Sequence, residues 1–542
     1  MAARISRRDV FKTGAAAGAA AALAGAGAGQ AAAAAPPSQA GSGDGTLTLV
    51  NGKIHTMDSD NTVAKAVAIR NGRFVAVGGS AANPGPGSKV INLHGRTVIP
   101  GIIDAHNHIV LVGNRPGWHT AAEHVFTIPD LIELYVARTT EVPPGEFITT
   151  IGPIAARQFE EQRLPVLSEL DAVDRPIYIQ AAQGGTRTNS LGREWLEARG
   201  VVVSDDGVIG GGGTGSSLAL RLLREELLSP ETRERSAFDA LQYFTSLGIT
   251  THGDKGAFHS DEPAGGIATE NTFTMHFPFL TLNREDRMPA RLRIDFLHQD
   301  SASADPPLPT LGPRLKNSFQ FFGNDWLRTG GIGEFTGGGL DGLRAIAAAG
   351  WRGEDHALSL NAATNHIANR EIVHAETPID QLRWIISHIP GFTEELADRF
   401  HAIGGGVLVG WGPLRTGTNV GPPYRMLVDH PIEVGWHSDG GDITVISPWL
   451  NLYTTITGRN LSGDHILGDQ TLTRQEALWL ATAANKWFVR EDDLGSIEVG
   501  NHADLVVLDR DYFTVPDEEL RRISSVVTVV GGRIVHDTGE VG

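Results

Sequence analysis

Two histidines separated by one residue, His106 and His108, close the apolar segment IPGIIDAHNHIV at 99–110. Side chains alternate across a strand, so both imidazoles leave on one face and can grip a single cation together. The spacing alone is a weak signal, since about one such pair is expected by chance at this histidine content. Its position strengthens it. The run IIDA reads as a buried strand and delivers the pair at its C-terminal end, where α/β barrels keep their catalytic groups.

A strand of that kind needs partners. Seven further apolar runs follow: LGITTHGD (247–254), RLRIDFLH (291–298), DWLRTGGIGEF (325–335), DHALSLNAA (355–363), LRWIISHIPG (382–391), GGVLVGWGP (405–413) and IEVGWHSDGG (432–441). Helical patterns such as TEELADRFHAIG lie between several of them. Eight strand–helix units predict an α/β fold, a (β/α)8 TIM-like barrel over residues 99–490. Residues 111–240 break the alternation and are expected to form an insertion over the barrel mouth. Short alternating runs with Asn51-Gly52, Asn71-Gly72 and Gly531-Gly532 turns mark both ends of the chain. They predict a small β-sandwich assembled from 46–98 and 491–542.

Composition narrows the function classes. A formal net charge of -18 argues against a nucleic-acid surface and gives no attraction to anionic membranes. The absence of cysteine excludes thiolate ligands and thiol nucleophiles. No run after the N-terminus is long and apolar enough to span a bilayer. SRRDVFK (6–12), followed by an Ala/Gly-rich run to residue 35, resembles a twin-arginine signal and implies export by the Tat machinery to the periplasm or the exterior. Residues 36–45 are a Pro/Gly/Ser linker. The glycine runs at 207–217 and 336–342 read as flexible loops, the second at the barrel mouth.

Taken together, VIPGIIDAHNH, GITTHGD, RWIISHIPG, EVGWHSDGG, EALWLATAANKWF and DLGSIEVGNHADLVVLD resemble the amidohydrolase superfamily. Within it the chain is similar to the YtcJ-like branch, amidohydrolase family 3, which includes N-substituted formamide deformylases. The resemblance spans about 46–540 and implies the same split β-sandwich and barrel. It implies metal ligands from HxH on strand one, Lys or Glu on strand four, His on strands five and six, and Asp on strand eight. His106, His108, His388 and Asp439 fill four of these places.

Two places depart from the pattern. Gly333 stands where a bridging, carboxylated lysine is usual; the neighbouring Glu334 could stand in as a carboxylate ligand, but strand alternation points it to the opposite face unless the backbone bulges. The strand-five histidine aligns with Asn361, whose neutral carbonyl suits harder cations, and His366 is assigned to the following helix. A substrate-side histidine of the insertion is also lost, within QGGTRTNS (183–190). The expectation is therefore a mononuclear Zn2+ site on His106, His108 and Asp439, with His388 as fourth ligand or hydrogen-bond donor. Asp439 would move the proton, and His388 would support the oxyanion, in hydrolysis of an amide or N-formyl bond of a small molecule. The alternatives are a repurposed lyase, isomerase or cyclase with a reduced metal site, and a non-catalytic binding protein on the same fold. Trp118, Phe277 and Phe321 suggest an apolar pocket, against the plainer assignment of core positions. A homodimer is the default oligomer.

Overall fold

The computed structural model describes residues 46–81, 87–181, 185–210, 214–256, 274–298, 307–317, 319–334, 339–410, 412–414, 421–441 and 444–541. The signal segment, the linker and parts of both glycine runs lie outside them.

Eight parallel strands carry the centre of this α/β molecule: β1 (Ile102–Asn107), β2 (Ile249–Asp254), β3 (Arg291–Phe296), β4 (Leu327–Ile332), β5 (Glu354–Ala357), β6 (Ile385–His388), β7 (Gly406–Gly410) and β8 (Glu433–His437). Each lies in one of the eight apolar runs, except that β5 begins one residue before its run. They pair in chain order as two four-stranded sheets, β1 to β4 and β5 to β8. Runs such as GVLVG in β7 are buried along their whole length, as strands covered on both faces must be. One seam between the sheets is bridged at Ile332 and Gly353. At the other, Asp439 N donates to His106 O at 3.0 Å and His108 N to Gly440 O at 2.9 Å.

Helices cover these strands. Pro230–Ser246 starts where the Ser229 hydroxyl accepts from Thr232 N, with proline in its first turn. Its Ala237, Ala240, Leu241 and Phe244 fall on one face at helical spacing, and all are buried. That face seats the helix in the same core as Ile249, Leu292 and Trp449.

Between β1 and β2 the chain builds a separate layer. Three short parallel strands, Trp118–Thr120, Ile148–Thr150 and Ile177–Tyr178, form a sheet with its own core around Leu131, Tyr135 and Leu170. Glu123 of this layer accepts hydrogen bonds from Ile446 N at 2.5 Å and Ser447 N at 2.7 Å. The layer is thereby clasped to the loop that follows β8.

Both chain ends meet in one six-stranded sheet, where Thr97–Pro100 pairs with Lys53–His55 on one side and Leu505–Leu508 on the other. A four-stranded sheet of 47–50, 67–70, 73–77 and 89–92 shares its core, through Leu49, Ile69, Phe74, Val98 and Val507. No helix of the described residues is long and apolar enough to cross a membrane.

Candidate metal centre

β1 delivers the two histidines as its spacing demands. His106 and His108 are buried, and each is anchored through Nδ1. His106 Nδ1 donates to Glu354 Oε1 at 2.6 Å, and His108 Nδ1 to the Gly256 carbonyl at 3.2 Å. An imidazole that donates from Nδ1 keeps its Nε2 lone pair for something else. Both Nε2 atoms turn to Asp439 Oδ1, each at 3.3 Å. Asp439 follows β8 with φ 54°, and His388 closes β6 with φ 71°. Left-handed backbone is uncommon outside glycine, and two instances at strand ends aim both side chains inward.

Glu334 joins this group, against the face expected for it. Strand alternation fails here for a visible reason. Ile294 pairs with Thr329 but Phe296 pairs with Ile332, so β4 carries one extra residue at Gly330 and Gly331. The strand then ends at Ile332, and Glu334 swings into the centre. Its Oε2 lies 3.4 Å from His108 Nε2 and 3.7 Å from His106 Nε2. Its Oε1 lies 3.6 Å from His388 Nε2. One carboxylate thus spans two groups of imidazoles. Gly333 cannot host a lysine in this backbone, because a Cβ there would sit 2.6 Å from the Lys255 carbonyl oxygen.

Asn361 is not part of the centre. β5 stops at Ala357, and the Ser359 side chain caps a helix over Leu360–Glu376, which leaves Asn361 exposed in its first turn. The imidazole of β5 is His356, whose Nδ1 meets Glu334 Oε1 at 2.6 Å. It was missed because the strand was drawn too long. The pair His356-Ala357 ahead of a serine cap was the available signal. His366 lies in the helix, as expected, with Nε2 3.1 Å from the His356 carbonyl oxygen. In the insertion, Thr188 and Asn189 are spent on structure, the latter capping the helix Ser190–Glu197.

The aromatic residues thought to line a pocket are placed apart. Phe277 is 56 % exposed on a surface helix. Trp118 carries Arg235 over its ring at 4.1 Å, and Phe321 carries Arg490 at 4.7 Å.

The electrostatics are those of a site built around positive charge. Burial alone would push the Glu334 carboxyl up, yet the imidazoles of His106, His108, His356 and His388 hold it well below the usual carboxylate range. Asp439 is likewise lowered against its burial, by His388, His106 and His108. Burial disfavours the charged form of His106, but Asp439, Glu334 and Glu354 raise it to about 9. His108 is raised well above its ordinary value for the same reason. A cation entering here displaces protons from histidines and inherits their carboxylate partners. Among the buried atoms here that make no hydrogen bond are His106 Nε2 and Glu334 Oε2. Buried polar groups of proteins are nearly always paired, so these two fit a metal ion. His106, His108 and Asp439 form one compact donor set, and His106, Glu334 and His388 a second.

Residues 89–536 match the model of the amidohydrolase family. The chain belongs to that family. This amidohydrolase also carries a twin-arginine translocation signal, matched over residues 4–24, which directs export. It is 25 % identical to the N-substituted formamide deformylase of Arthrobacter pascens, over 90 % of this chain and 97 % of the relative. A metal-dependent hydrolase from Pyrococcus furiosus shares the fold at TM-score 0.57 and 17 % identity, covering 86 % of this amidohydrolase and all of that chain. Atrazine chlorohydrolase from Arthrobacter aurescens, solved with zinc, aligns at TM-score 0.53 and 15 % identity over 91 % and 95 % of the two chains.

Proposed function

We propose that this exported amidohydrolase cleaves a carbon–nitrogen bond of amide or N-formyl type in a small molecule. The cleavage would occur at a two-cation site held by His106, His108, Glu334, His356, His388 and Asp439. The observation that carries this is the convergence of buried imidazoles on a carboxylate whose two oxygens face different histidines, with His106 Nε2 and Glu334 Oε2 lacking a hydrogen bond. The single-cation expectation rested on the bridging lysine lost at Gly333 and on a missing strand-five histidine; Glu334 and His356 are proposed to fill those two places. Zinc suits a His/carboxylate set. The scaffold is proposed to be a closed (β/α)8 barrel capped by a β-sandwich, an arrangement supported by the two bridged seams and the core shared by the terminal sheets.

Bound divalent cations supply Lewis acidity and bring the pKa of water from ~15.7 towards about 7. The residues do the rest. Asp439 turns Oδ1 to the histidines, which leaves its other oxygen to take the proton as water oxygen bonds to the carbonyl carbon. The C–N bond then breaks, and Asp439 returns that proton to the leaving nitrogen. The formamide deformylase among its relatives makes an N-substituted formamide the first substrate to try.

The test is elemental analysis of the exported protein with a hydrolysis screen on N-substituted formamides, small amides and ureas. About two equivalents of divalent metal are expected, with turnover lost on chelation and in His106→Ala. Metal-free protein that still turns over substrate would overturn the proposal.

A further inference from the structure

Beneath the donor set lies a chain of buried charges that the proposed chemistry does not use. Glu354, at the start of β5, receives His106 Nδ1–H on Oε1 and Lys255 Nζ on Oε2 at 2.7 Å. Lys255, just past β2, reaches on to Asp295 Oδ2 of β3 at 2.6 Å. Asp295 in turn holds the Arg352 guanidinium at 3.0 Å and 3.1 Å, and also takes Gly331 N, inside the bulge that brings Glu334 inward. Ser387 of β6 donates to Glu354 Oε1 and lies 3.2 Å from His106 Nδ1. Lys255, Glu354, Asp295 and Arg352 are all 3 % exposed or less.

We infer that Glu354 and Lys255 are positioning residues of the cation site, a conclusion that rests on the two-cation reading above. Glu354 fixes His106 with its proton on Nδ1, so Nε2 is presented bare to the centre, and Lys255 fixes Glu354. Both oxygens of Glu354 are committed within the network, Oε1 to His106 and the Ser387 hydroxyl and Oε2 to the lysine. The same contacts rule out a second role for Lys255. A carboxylated lysine is an anion, and this Nζ sits between two carboxylates that demand a cation. Lys255 is therefore not a displaced version of the lysine missing at Gly333. Through Asp295 the chain also reaches the β4 bulge, so one network orients two ligands from the opposite edges of the β1–β4 sheet, His106 directly and Glu334 through its backbone. Partners of this kind hold a ligand's tautomer and orientation, and their loss costs about 10–100-fold in metal affinity.

The experiment titrates metal-stripped full-length protein with Zn2+ against a chromophoric chelator, and records the visible spectrum of the Co2+-loaded form. Glu354→Ala and Lys255→Met are expected to bind Zn2+ about 10–100-fold more weakly and to shift the Co2+ bands. Glu354→Gln, which keeps an acceptor for His106 Nδ1–H, should recover part of the loss. Arg291→Met, a buried-charge deletion away from the network, should lose stability and keep both readouts. Wild-type affinity in folded Lys255→Met and Glu354→Ala overturns the inference, as does an equal loss in Arg291→Met. If the larger changes do not fold, Ser387→Ala serves, with a few-fold weakening expected and unchanged affinity counting against. A wild type that takes up no Zn2+ would sink the two-cation reading itself, a result distinct from any of these.

Discussion

The two ends of the strand bundle treat buried charge in opposite ways. At the C-terminal ends, His106 Nε2 and Glu334 Oε2 are buried and make no hydrogen bond. At the start of β3, Arg291 meets Asp504 through two bonds of 2.7 Å and 3.0 Å, and Arg293 forks onto Glu491. Asp504 directly precedes the terminal-sheet strand Leu505–Leu508, so its pair fastens that sheet to the strands, while Glu491 ties down the segment that follows the helix Lys486–Val489. A satisfied buried ion pair has finished its work inside the protein, whereas an unsatisfied donor set waits for a ligand. The difference separates stabilising residues from chemical ones, and it agrees with the rule that barrel function gathers at one face.

The largest effect that could break this comparison comes from cutting a pair at the satisfied end. Arg291→Met leaves Asp504 buried with its main partner gone, which costs about 3–5 kcal/mol. Chemical denaturation should register that loss, while elemental analysis of the folded fraction should find the metal content of the wild type. Metal loss at unchanged stability would mean that the two ends are not independent.

How far the sequence went follows the same division. His106 and His108 were legible as a pair because strand alternation is a local property, whereas His388 and Asp439 were assigned through the family resemblance; the structure brings all four close together. The eight strands were legible too, since their apolar runs need only a short window. Glu334 was misjudged because a bulge is set by pairing between β3 and β4, and no local pattern reports it. Asn361 displaced His356 because a strand end was placed by apolar content, when the serine cap at Ser359 decided it. Lys255 and Glu354 were invisible, since their meaning lies in contacts between residues 99 positions apart in the chain.

A carboxylate at the mouth offers a finer probe, because it is buried near the unsatisfied end yet fully bonded. Glu123 takes Ile446 N, Ser447 N and the Tyr243 hydroxyl, and burial still pushes its carboxyl up from 4.5 to about 7. Between those values the folded protein holds a proton that the unfolded chain has released. Glu123 therefore contributes most below about pH 4.5, and that contribution is lost as pH rises through about 7. Glu123→Gln should flatten this part of the stability–pH curve by about 2 kcal/mol between pH 5.5 and 8, as read by urea denaturation at the two values. An identical pH slope in the variant would mean that the folded protein does not hold that proton, and that its hydrogen bonds offset the burial of Glu123.

The smallest expected effect falls on the residue that sequence alignment had placed in the site. Asn361 is exposed on the first turn of its helix, where the cap is made by Ser359 and not by its own side chain. Surface substitutions away from such caps stay within about 0.5 kcal/mol. Asn361→Ala should therefore match the wild type in Tm, metal content and turnover. His356→Ala, only five residues upstream, removes an imidazole in contact with Glu334 and should lower the metal stoichiometry. If the two variants exchanged these behaviours, the strand-five assignment would revert to the sequence alignment. The second half of the proposed cation site would then lose its histidine.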